Sequence, residues 1–156
     1  MSKQRTATAI PIMLLLACTM FASKAFAEGA NAQQVLADAT SLHCVFRDAV
    51  ETTWADGKFQ NRPAKGFSYT ISDIVTARGN AKAVSQHGSS HLEMVALSNV
   101  RHFIGFTASG DINLTTVHGQ FGRDEKELLA VHSVHMASEP PRTFQNYGAC
   151  KPQVKK

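Results

Sequence analysis

The chain has 156 residues, 44% of them hydrophobic and 18% charged, with a formal net charge of +4 and three cysteines. That composition excludes disordered and low-complexity classes, and the length suits one hydrophobic core. Nucleic acid is not an expected partner: Lys3, Arg5 and Lys24 lie in the first 27 residues with no acidic counterpart, and without them 13 basic residues face 12 acidic ones, a net of +1.

The N-terminus reads as an export signal. Lys3 and Arg5 precede an apolar run from Ile10 to Ala17, interrupted only by Pro11, and Ala25-Phe26-Ala27 forms a small-x-small cleavage site. The run is shorter than the ~20 residues of a membrane span. Residues 1–27 are therefore expected to be a signal peptide and residues 28–156 a single periplasmic or secreted β domain with no membrane span. Leu15-Leu16-Ala17-Cys18 keeps a lipid anchor at Cys18 open as the alternative.

Only Ala30 to Ala39 has helical spacing, with Val35, Leu36 and Ala39 on one side. It predicts a short helix capping one end of a sheet, or a flexible N-terminus. Turn signals then recur about every ten residues, as hairpin-joined strands require. They separate eight predicted strands: Cys44–Thr53, Phe67–Ser72, Ala81–Ser85, Leu92–Leu97, Val100–Ala108, Ile112–Phe121, Leu128–Ala137 and Phe144–Cys150. Lys151 to Lys156 reads as a solvated tail. Connections this short favour an antiparallel meander, because parallel neighbours need long crossovers. With Cys18 removed by signal cleavage, Cys44 and Cys150 form the default disulfide of an oxidising compartment. Such a bond brings the first and last strands together and predicts an all-β, closed or nearly closed barrel, with a β-sandwich as second choice.

Thr115-Thr116-Val117, Ala130-Val131-His132-Ser133-Val134-His135, Tyr147-Gly148-Ala149-Cys150, Cys44-Val45-Phe46 and Trp54 resemble the corresponding segments of a group of small exported bacterial proteins of unknown function. The resemblance covers most of the mature chain. It implies a bacterial periplasmic protein with paired cysteines and a His-Ser-x-His segment, and it implies no activity. This chain departs from the group at Gly105, where an acidic residue two positions after the Phe corresponding to Phe103 is the pattern.

Histidines carry the chemical hypotheses. His132 and His135 stand three apart, which sends their rings to opposite faces of a strand. His102, His118 and His132 lie on three successive predicted strands, each among apolar alternates, and would make a three-imidazole zinc site if all faced inward. A two-residue turn at Ser109-Gly110 sets His102 opposite Val117 and splits the trio, whereas a three-residue loop with a bulge would restore it. The plain alternative is three ordinary strand histidines. A hydrolase would need Ser133 or Ser90 with a histidine and Asp111 or Glu93, yet the chain has no Gly-x-Ser-x-Gly elbow. Asn113-Leu114-Thr115 fits a glycosylation acceptor inside a predicted strand.

The leading expectation follows from architecture. A closed meander of this size could hold a small apolar or amphipathic ligand, as lipocalin-like barrels do, with Phe67, Tyr69, Phe103 and Phe106 lining it and Trp54 at its mouth. The alternatives are a non-catalytic cell-envelope structural or interaction protein with a solid interior, and a metal-dependent enzyme using the three histidines. No cofactor is implied.

Overall fold

Inward and outward side chains alternate along almost the whole chain from Ala39 to Val154, and that period of two builds a single antiparallel sheet. The computed structural model describes residues 27–124 and 126–154; the apolar run of the expected signal, Cys18, and Lys155 and Lys156 lie outside the described residues. A helix, α1 (Ala27–Asp38), leads into strands β1 (Ala39–Ala55), β2 (Lys58–Ala64), β3 (Phe67–Val75), β4 (Asn80–Ser85), β5 (Gly88–Ala96), β6 (Val100–Phe106), β7 (Ile112–Phe121), β8 (Leu128–Met136) and β9 (Arg142–Val154). Neighbours in sequence pair in turn from β3 to β9, and β1 pairs with both β3 and β9. The sheet is thus a closed barrel of eight strand positions, the predicted fold class.

β2 and β3 occupy one of those positions. Ala49 faces Ala64 and Phe46 faces Phe67, so both segments run along β1 in one uninterrupted register, with Lys65 and Gly66 between them. Over residues 49–53 the β1 strand keeps β9 on one side and β2 on the other, and β2, with no further neighbour among the described residues, is a free edge. The eight predicted strands leave out β2, between Thr53 and Phe67. An edge strand tolerates the missing N–H of Pro63, which explains the miss. The predicted tail was also misjudged, since Lys151 to Val154 complete β9 against the start of β1.

The seam between β1 and β9 runs from the Ala39–Val154 pair to the Thr53–Arg142 pair. Cys44 and Cys150 face each other directly on it, with Cα atoms 3.9 Å apart, and their disulfide points into the core. At Phe46 the β1 backbone is crowded from both sides by glycine. A Cβ at Gly148 would overlap the Val45 carbonyl oxygen, and one at Gly66 would overlap that of Phe46. A bulge in β1 falls at the same place, between Phe46 and Asp48.

One end of the barrel is shut by α1, whose Ala32 and Leu36 join Leu42, Ile74, Met94, Val117 and Leu128 in the core. Gly119 lets the helix approach β7, because a Cβ there would sit 3.1 Å from Gln33 Cα. The helix C-terminus is held by Arg101, buried on the inner face of β6. Its guanidinium donates to the carbonyls of Ala37 at 2.6 Å and Ala39 at 3.1 Å and to the Thr76 hydroxyl at 3.1 Å. A cation among the orphan carbonyls at a helix end satisfies them and complements the dipole. Burial pulls its pKa below the usual arginine value, offset by the nearby Asp38 carboxylate.

Candidate functional site

The end opposite α1 is open. A cavity of about 1040 Å³ enters there, walled by β3–β8 and by the β4–β5 and β6–β7 turns. Its floor is aromatic. Phe46, Phe67 and Tyr69 stack with ring centroids 5.2–6.2 Å apart, and the His132 imidazole packs against all three at 5.1–5.9 Å. Phe46 is held there from β1, Phe67 and Tyr69 from alternate inward positions of β3, and His132 from β8. Pairs of this kind contribute ~1 kcal/mol each beyond burial.

A chain of hydrogen bonds threads this floor. The Tyr69 hydroxyl meets the Thr115 hydroxyl, which meets His132 Nδ1 at 2.7 Å, so β3, β7 and β8 are tied across the interior. Asn146, facing His132 on β9, donates from Nδ2 to the His132 carbonyl at 3.1 Å. His132 Nε2 has no partner among the described residues, and none of their fully buried side-chain polar atoms lacks one, so this nitrogen opens onto the cavity. Burial disfavours the imidazolium and lowers the pKa of His132 to about 4. Burial also raises that of Tyr69 to about 12, against the opposing effect of its Thr115 hydrogen bond. Both rings are neutral at pH 7.

These shifts carry a stability signature. The unfolded chain takes up a proton on His132 near pH 6.5 while the folded chain resists until about 4. The stabilisation is therefore complete above 6.5 and is lost as pH falls through that window, up to roughly 3 kcal/mol. Urea denaturation of the wild type is expected to show this slope, and H132F to flatten it; an unchanged slope in H132F would place the imidazole in solvent.

Four of the expected ligand residues border the cavity: Phe67, Tyr69 and Phe103 from inward positions, and Phe106 from an outward position at the mouth, where it is 62% exposed. Trp54 does not. It stands near the β1–β2 turn, edge-on to Phe59 at 4.9 Å and outside the cavity wall. Below it on the same hairpin, Glu51 is held between Arg62, at 2.6 Å, and Arg142, and hydrogen bonds from these two guanidiniums draw its pKa down to about 2.

The three proposed zinc ligands are not brought together. The β6–β7 connection is a three-residue loop, Ala108-Ser109-Gly110, closed by Thr107 N–H to Asp111 C=O at 3.0 Å, with Gly110 at φ 93°. It sets His102 opposite Thr116 and Val100 opposite His118, which unites His102 and His118 on the outer face. The β7–β8 register pairs His132 with Thr115, and both face inward. His102 instead bonds the Thr116 hydroxyl through Nδ1 at 3.0 Å, and among the described residues no three His, Cys, Asp or Glu side chains gather as a metal cage. His135 faces outward opposite Ile112, as its spacing from His132 predicts.

The serine candidates are likewise apart. Ser133 faces outward and donates to Gln145 Oε1 at 2.7 Å, Ser90 lies at the cavity rim, and Glu93 is exposed on β5. Asp111 accepts from Ala137 N–H and the Ser109 hydroxyl, both at 2.9 Å, and so ties two rim loops together. Asn113 points into the cavity from mid-strand. No protein-family model, curated protein or solved structure matches this chain.

Proposed function

We propose that the protein binds a small apolar or amphipathic molecule inside the barrel, and that it works in the periplasm or outside the cell. The observation that carries the first part is a cavity of about 1040 Å³, open at one end of the barrel and floored by aromatic rings. Pockets of this size and lining are typical of small-ligand sites. An interior packed solid would have supported the envelope-scaffold reading, and the open volume favours binding instead. The Cys44–Cys150 disulfide supports an oxidising compartment, and the N-terminal charge and hydropathy pattern supports export.

The test uses the oxidised protein and N-phenyl-1-naphthylamine, a neutral apolar fluorophore. One saturable site with blue-shifted emission is expected, abolished by A83W, which puts an indole into the cavity wall. Absence of saturable binding, or full binding by a folded A83W, would overturn the reading.

A further inference from the structure

The cavity lining has a chemical bias that narrows the ligand. Among the described residues no aspartate or glutamate contributes to it, while Lys65 stands at its rim without an ion-pair partner among them. Lys65, in the two-residue link between β2 and β3, precedes Phe67 and Tyr69 by two and four residues, and all three line the cavity. At ~3.3 Å per residue its backbone lies roughly 7 Å above Phe67 and 13 Å above Tyr69. The cation is therefore at the top of an aromatic wall whose bottom is the Tyr69–Thr115–His132 chain.

The direction of that chain is set by counting protons. Tyr69 has a single hydrogen-bond partner, the Thr115 hydroxyl, and its phenol keeps its proton at pH 7. If Tyr69 donates to Thr115, then Thr115 donates its own proton to His132 Nδ1, and both hydroxyl protons have acceptors. The reverse order leaves the Tyr69 hydroxyl proton without an acceptor among the described residues. His132 is thus the Nε2–H tautomer, and a neutral donor points into the cavity.

Resting on the binding reading above, we propose that the ligand is a flat aromatic carbonyl compound carrying an anionic group: its carbonyl oxygen accepts from His132 Nε2–H, its ring lies against Phe67 and Tyr69, and its anion meets Lys65 at the rim. A neutral donor among aromatic rings suits a carbonyl better than a carboxylate, whose desolvation it does not compensate. The stacked rings of Phe67 and Tyr69, 11° from parallel, present flat faces that suit a planar partner. The rim, where water and Lys65 are both available, is where a charge is tolerated.

Two naphthalenes of nearly equal shape test this. The wild-type oxidised protein is titrated with 6-acetyl-2-naphthoate and 6-ethyl-2-naphthoate, and the acetyl compound is expected to bind about fivefold tighter, the worth of one hydrogen bond. H132F is expected to erase that preference, and K65Q to weaken both naphthoates about equally. The ¹⁵N resonances of His132 report the tautomer directly. Equal affinity of the two naphthoates, or an Nδ1–H tautomer, overturns the ligand class while fluorophore binding leaves the cavity reading standing. If neither the naphthoates nor the fluorophore binds, both fall together.

Discussion

G148A is expected to destabilise the protein by about 3 kcal/mol or more, although it adds only a methyl group. Gly148 lies on the β9 side of the seam, directly opposite Phe46. The new methyl would overlap the Val45 carbonyl oxygen and come within 2.7 Å of Phe46 Cα, both backbone atoms, so no rotamer change relieves it. β1 cannot retreat toward β3, because the same stretch is approached from that side by Gly66. G57A at the tip of the β1–β2 hairpin is the control. Gly57 has φ 74° but nothing within 4 Å of a Cβ, and its replacement should cost only about 1 kcal/mol. Thermal unfolding should separate the two by roughly 10 °C. Equal shifts would mean that the seam has slack.

Removing the disulfide with the double variant C44A/C150A is expected to cost ~4–5 kcal/mol, the chain-entropy value for a closed loop of about 100 residues. The bridged cysteines are 106 positions apart, which puts the bond near the upper end of what one cross-link contributes. Both residues are fully buried, so lost packing adds to the loss of the cross-link. Urea denaturation should show the midpoint falling accordingly. In the native wild type, thiol reagents should find no reactive Cys44 or Cys150 until the chain unfolds; two reactive thiols in the folded protein would remove the basis of this prediction.

The closed meander was legible because its signals are local or covalent. Gly- and Asn-rich turns mark the strand ends, and the cysteines sit at the head of the first strand and the foot of the last. The interior of the site was not. On β6 the alternates Val100, Ile104 and Phe106 are apolar and suggest an inner face, yet they face outward, because the true inner face carries Arg101, which holds the helix end, and Gly105, whose Cβ would press on Leu92. Hydrophobic alternation therefore picked the wrong side, and His102 with it. His132 entered only as one of three metal ligands conditional on all three facing inward, and it alone of them does. Its partners Thr115 and Tyr69 lie 17 and 63 residues earlier in the chain: the first is set by the β7–β8 register and the second by a contact across the barrel interior, and periodicity gives neither. Trp54 was misplaced for a related reason: its pairing with Phe59 on an additional edge strand leaves no mark in composition.

Joining the first strand to the last has a kinetic meaning as well. The pairs that seal this cylinder are the most distant in sequence it contains, and they cannot form until Arg142–Val154 has been delivered. A chain emerging from its N-terminus therefore remains an unsealed sheet with two open margins until that strand is out. Loss of the strand would leave it in that state permanently, with exposed strand edges inviting association with other chains.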